Sequence, residues 1–168
     1  MRKIKITFIV LLFVGLKQSA SAQLNQPFPK MELTDIDGKM VNTAEFSTSG
    51  KITLVSFWAI WCAPCRIELN ALRDASADWE KKYGVNIVAI SIDDDKALEK
   101  VQKLSAEQKW NFPLWLDPGQ SLKKTMDFST VPYMVILDKK GRVRIVHTAF
   151  LDGDDNIIEE ELARLYKE

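Results

Sequence analysis

Phe57-Trp58-Ala59-Ile60-Trp61-Cys62-Ala63-Pro64-Cys65-Arg66 carries both cysteines of a 168-residue chain, separated by two residues. Ahead of them, Ile52 to Trp58 is a nearly continuous apolar and β-branched run, as expected of a strand buried on both faces. Behind them, Cys65, Leu69, Leu72, Ser76 and Trp79, with Glu68 beside them, recur at three-to-four spacing and predict a helix over 63–82. Pro64 fits the first turn, where a missing N–H costs nothing, and Gly84 ends the helix. Cys62 therefore falls at the helix N-cap, where unpaired N–H groups and the positive dipole end favour a thiolate. Such a position can take a cysteine pKa from about 8.5 to roughly 3.5–7.5. Cys65, one turn further in, is placed to resolve a mixed disulfide formed at Cys62. A purely structural disulfide is the alternative, but a bridge over two residues closes a tiny loop and constrains the unfolded chain little.

Outward from this stretch, the N-terminus reads as a leader. Met1-Arg2-Lys3-Ile4-Lys5 is basic, Ile6 to Leu16 is apolar, and Ala20-Ser21-Ala22 has the small-x-small pattern of a signal-peptidase site. The apolar run of about 11 residues falls short of the ~20 that span a bilayer. Residues 1–22 are therefore expected to be a cleaved signal peptide and 23–168 a single domain, exported and periplasmic. Loss of Arg2, Lys3, Lys5 and Lys17 takes 23 basic residues to 19, against 23 acidic ones. A mildly acidic domain without a basic stripe argues against nucleic acid as a partner.

In the rest of the chain, Asp35-Ile36-Asp37-Gly38 suggests a β-hairpin between Lys30–Leu33 and Met40–Val41. Thr43 to Phe46 suggests a helical turn, and Val85 to Ile92 a strand. Asp93-Asp94-Asp95 is suited to capping a helix over 96–109. Leu114–Leu116 is a short strand and Ser121–Met126 a short helix. Tyr133–Leu137 and Val143–His147 form a hairpin around Asp138-Lys139-Lys140-Gly141, and Asp152–Asp155 opens a last helix that runs to about Lys167. This order predicts a layered α/β domain.

Trp-Cys-Ala-Pro-Cys after a buried strand, together with Val131-Pro132 before a second one, resembles the thioredoxin superfamily. Within it the chain is most similar to the exported TlpA/ResA-like thiol–disulfide oxidoreductases. Cys65-Arg66-Ile67-Glu68, Phe112-Pro113 with Asp117, Val131-Pro132-Tyr133 and the hairpin at Asp37-Gly38 carry the likeness. The resemblance implies a central mixed sheet flanked by helices, with an N-terminal β-hairpin and an extra helix-strand insertion between Asp93 and Pro132. It implies that Cys62 attacks and Cys65 resolves. Trp61 then flanks the disulfide, Pro64 shapes the helix start, and Pro132 is a cis-proline at a substrate groove with Val131 and Tyr133. Glu68, one turn after Cys65, takes the place of the family's buried glutamate and is expected to exchange a proton with it; a solvated helix-face glutamate is the plainer alternative.

Three departures stand out. Plain thioredoxins carry a buried aspartate six residues before the first cysteine, where this chain has Ser56, which cannot serve as a base. Tyr133 replaces a common threonine, and the glycine often found after the last strand is missing around Thr148-Ala149.

The expectation is a reductant of disulfides in exported proteins, of the cytochrome c maturation type, supplied with electrons by a membrane thiol donor. It would work as a monomer with no cofactor beyond the Cys62–Cys65 disulfide. An oxidant or isomerase of the same fold is the main alternative. A peroxidase would need a threonine or serine where Ala59 stands, and a metal site built on His147 would lack ligands.

Overall fold

The apolar run 52–58 becomes an inner strand of a seven-stranded sheet in the computed structural model, which describes residues 23–151 and 153–168. The expected leader lies outside the described residues. The strands are β1 (Glu32–Asp35), β2 (Met40–Asn42), β3 (Thr53–Trp58), β4 (Asn86–Ser91), β5 (Leu114–Leu116), β6 (Tyr133–Leu137) and β7 (Val143–His147). The helices are α1 (Glu45–Thr48), α2 (Ala63–Tyr83), α3 (Leu98–Gln108), α4 (Ser121–Thr125) and α5 (Asp154–Tyr166). The sheet runs β2-β1-β5-β4-β3-β6-β7. β3, β4 and β5 are parallel, while β6 pairs antiparallel with β3, and β1 with β5. This is the thioredoxin-like α/β architecture that the resemblance implies.

Every residue of β3 is buried, because β4 and β6 flank it and both of its faces are covered. Strand alternation then divides its side chains. Ser56 turns towards α2, where it meets Glu68, while Phe57 packs against Phe128 and Tyr133. Trp58 lies edge-on to Trp110, and Trp79 is buried on α2. Lys82 and Tyr83 of α2 bond Glu159 of α5, which fixes these two helices side by side.

The hairpin at Asp35–Gly38 forms as expected, its turn closed by the Asp35 carboxylate accepting the Asp37 and Lys39 N–H groups. It does more than cap the sheet, because β1 also pairs with β5 and extends it. α2 ends at Gly84 in the left-handed conformation that a glycine adopts freely. The helix expected over 96–109 differs in its first turn. Asp94 accepts the Lys96 N–H and starts a 3-10 turn over Asp95–Ala97, which only then opens into α3. Ser76, placed on the inner stripe of α2, is half-buried and bonds Asn111 at the rim.

Candidate active site

The chain leaves the sheet at Trp58 and enters α2 through Ala59-Ile60-Trp61-Cys62. Cys62 is the N-cap, with extended backbone, and its sulfur accepts the Cys65 N–H at 3.2 Å. The Cys62 N–H donates to the Ala59 carbonyl at 3.0 Å, which tightens the turn. Cys62 and Cys65 are joined in a disulfide. Cys62 is buried to 4% exposure and Cys65 completely, so the outer sulfur is the one an incoming partner can approach. Pro64 occupies the first turn and is exposed, and Trp61 stands beside the disulfide with 69% of its surface in solvent. Trp61, Ala63 and Pro64 together form the exposed rim around buried Cys62.

Under the disulfide, Glu68 is fully buried. The Ser56 hydroxyl donates to Glu68 Oε1 at 2.5 Å, while Oε2 has no partner among the described residues. Loss of hydration pushes the carboxyl up to about 7, against the pull of the Ser56 hydrogen bond and with a small push from the negative charge of Asp154. Glu68 is therefore not the solvated helix-face residue that the plainer reading would make it. It is an acid held close to neutrality, one helical turn from Cys65. Ser56, which the sequence recommends only as a missing base, is its hydrogen-bond partner.

The Val131–Pro132 bond is cis. Tyr133 pairs with Phe57 in the β3–β6 register, which sets Pro132 beside the end of β3 from which the dithiol turn departs. Tyr133 corrects an expectation. Its side chain is 3% exposed and stacks on Phe128, with its hydroxyl bonded to Gln23, so it lines the core rather than the groove. The reason is strand parity: a residue opposite Phe57 shares Phe57's face. Of the three residues assigned to the groove, Val131 alone is part-exposed.

Two charged side chains that the sequence did not single out also reach the turn. Asp93 Oδ2 accepts the Ile60 N–H at 2.9 Å, and Arg66 Nη1 donates to the Ile60 carbonyl at 3.0 Å. Asp93 sits in an acidic triplet that reads as capping material, and nothing in its spacing marks it as turned inward. His147 bonds Glu161 at 2.7 Å. Among the described residues, no three His, Cys, Asp or Glu side chains cluster as a metal site.

Residues 24–146 match the sequence model of the AhpC/TSA family. The chain belongs to the AhpC/TSA family. It is 29% identical over 122 residues to the thiol-disulfide oxidoreductase ResA of Bacillus thuringiensis subsp. konkukian, a match covering 72% of this chain and 67% of that protein. A thioredoxin-like protein from Porphyromonas gingivalis superposes with a TM-score of 0.73 at 33% identity, over 88% of this chain and 94% of the other. A putative thiol:disulfide interchange protein DsbE from Chlorobium tepidum shares the fold, with a TM-score of 0.76 at 22% identity over 85% and 97% of the two chains. The family member described here is thus a thioredoxin-like protein whose two cysteines form a redox-type C-x-x-C pair at a helix start.

Proposed function

We propose that this protein is an exported thiol–disulfide oxidoreductase that reduces disulfides of exported proteins, in the manner of a cytochrome c maturation reductant. The observation that carries the reading is the bonded Cys62–Cys65 pair at the start of α2, with a buried, near-neutral Glu68 one turn below it.

In the reduced protein, the Cys62 thiolate attacks one sulfur of a partner disulfide. The partner's S–S bond breaks, its second sulfur leaves as a thiolate that takes up a proton, and a Cys62–partner disulfide forms. Glu68 as carboxylate accepts the Cys65 thiol proton, and the resulting thiolate attacks Cys62 Sγ. That step breaks the Cys62–partner bond, expels the partner sulfur first attacked as a second thiolate, and leaves the Cys62–Cys65 disulfide. Two electrons have passed to the partner, and a membrane thiol donor returns two to the protein. An acid near pH 7 is suited to this traffic, because it takes and gives a proton without a large driving force either way. Trp61 and Val131 would border the partner segment. No metal or other cofactor enters these steps.

Direction rests on potential, where about 30 mV is worth 1.4 kcal/mol. Oxidation or isomerisation by the same dithiol is the competing reading. Ala59, whose carbonyl ties down the Cys62 N–H, supplies no hydroxyl for a peroxidase. The test combines trapping with a potential measurement. Cys65→Ser should hold a mixed disulfide with a client from the exported fraction, and the couple's potential should lie near thioredoxin's approximately −270 mV. A potential near −120 mV, that of a strong oxidant, would reverse the direction. Failure of C65S to form any adduct with a small disulfide peptide would remove the resolving role.

A further inference from the structure

We propose that Asp93 and Arg66 are positioning residues: together they hold the two peptide groups on either side of the Ile60 Cα and so set where Trp61 and Cys62 stand during thiol–disulfide exchange. This rests on the dithiol reading above but on different residues.

The argument begins where β3 stops. The β3–β4 ladder is parallel and its last pair is Trp58 with Ser91. One further backbone bond, from the Ile92 N–H to the Trp58 carbonyl at 2.9 Å, continues the ladder past that pair. The chain then has to leave the sheet to reach the N-cap at Cys62, and the Ile60 N–H and carbonyl would lose their ladder partners. A part-buried peptide without partners costs about 1–3 kcal/mol per group. Here a carboxylate and a guanidinium replace the missing strand. Asp93, the second residue after β4, accepts the Ile60 N–H at 2.9 Å, and Arg66 reaches back from the first turn of α2 to the Ile60 carbonyl at 3.0 Å.

Asp93 is itself built in. It is 8% exposed, the same Oδ2 accepts the hydroxyl of fully buried Ser91 at 2.8 Å, and its own N–H donates to Ser91 Oγ at 3.1 Å. Carboxylates are seldom so buried without a specific partner, and this one's partners are a serine of the sheet and the peptide two residues before Cys62. The Arg66 N–H meanwhile sits 3.4 Å from the Cys62 carbonyl. One residue therefore grips the turn from the sheet side and the other from the helix side. Both bonds are charge-assisted and roughly twice as strong as neutral ones. Trp61, at 69% exposure, has little packing of its own to hold it. Its backbone position follows from the two peptide groups that flank the Ile60 Cα.

The experiment uses the full chain with Asp93→Ala, Asp93→Asn, Arg66→Ala and the D93A/R66A pair. Thr43→Val, remote from the dithiol, serves as a control for lost stability, since the buried Thr43 hydroxyl accepts the Met31 N–H and donates to the Pro29 carbonyl, with the Met31 carbonyl beside it. Two rates are read on reduced protein: alkylation of Cys62 by iodoacetamide across pH, and reduction of a disulfide-bonded peptide. The glutathione equilibrium of the couple is measured alongside. D93A should slow both rates about tenfold, the scale of loss when a reacting group is misplaced by a fraction of an ångström. D93N keeps an acceptor for Ile60 and should recover to within about threefold, while R66A falls between. Because both residues hold the backbone of one residue, Ile60, the double variant should lose clearly less than the product of the single losses.

The proposal is overturned if D93A is no slower than T43V, if D93N is as slow as D93A, or if the two single losses simply multiply. If the wild-type protein fails to reduce the peptide, the dithiol function itself is wrong. Alkylation of Cys62 still decides the clamp in that case.

Discussion

Glu68 and Asp117 are both carboxylates buried beneath a helix, at 0% and 2% exposure, yet the protein treats them oppositely. Asp117 accepts three backbone N–H groups, from Ser121, Leu122 and Lys123, at 2.8–3.1 Å, and thereby starts α4. Burial still lifts its carboxyl above the ordinary value, but those three donors pull against it. Glu68 has one donor, the Ser56 hydroxyl, and an unpartnered Oε2, and burial carries it to about 7. Burial alone therefore does not separate these two acids. What separates them is how much of the negative charge the surroundings have already answered.

The largest expected effect lies on the structural side of this comparison. Asp117→Ala strands three N–H groups around buried Leu122 and should lower stability by about 2–4 kcal/mol, read from the urea midpoint at pH 7. The variant should retain its dithiol exchange rate at temperatures where it is folded. If D117A costs less than about 1 kcal/mol, the three bonds are not what holds that turn, and the contrast with Glu68 fails.

The next effect appears in pH dependence. Glu68 ionises near 4.5 when unfolded and near 7 when folded. Between these values folded Glu68 binds more protons than unfolded Glu68, so its contribution to stability is greatest below about 4.5 and falls as pH rises to about 7. The raised pKa corresponds to a loss of about 3 kcal/mol across that window. Glu68→Gln should flatten this slope while leaving the Asp117 site intact. In the exchange reaction it should remove the pH-dependent limb near 7 expected of the proposed proton transfer to Glu68. A difference between wild type and E68Q that is flat, or that rises, between pH 4.5 and 7 would place the carboxylate in a better-solvated setting.

Sequence reading goes furthest where the determining contacts are local. The strand run 52–58, the helix over 63–82, its Gly84 stop and the N-cap position of Cys62 all follow from neighbours within a few residues, and all are present in the fold. The placements that required tertiary packing were not legible. Ser56 and Glu68 are 12 residues apart and meet only because α2 lies over β3. Asp93 and Ile60 are 33 apart and meet only through the β3–β4 register. Tyr133 shows the same limit in another form. A strand's period says that alternate residues share a face, but which face is the core depends on the partner strand's register. Beside the cis-proline it reads as a groove residue, and opposite Phe57 it is a core one.

The smallest effect is also the most direct on the Glu68 side. The Ser56 hydroxyl is that carboxyl's single described partner, and it favours the charged form. Ser56→Ala removes it and leaves both oxygens unanswered in an apolar setting, so the carboxyl should titrate higher than in the wild type. The cost should be concentrated at high pH, about 1–2 kcal/mol at pH 8 where Glu68 must be ionised, and smaller at pH 4 where it is neutral. Ser56→Thr keeps the hydroxyl and should restore the wild-type midpoint if the added methyl is accommodated. Titration of the Glu68 carboxyl by NMR, beside urea melts at the two pH values, checks both parts. A midpoint that does not move in S56A would mean that burial alone sets the acid's strength, and that the serine in this strand only fills space.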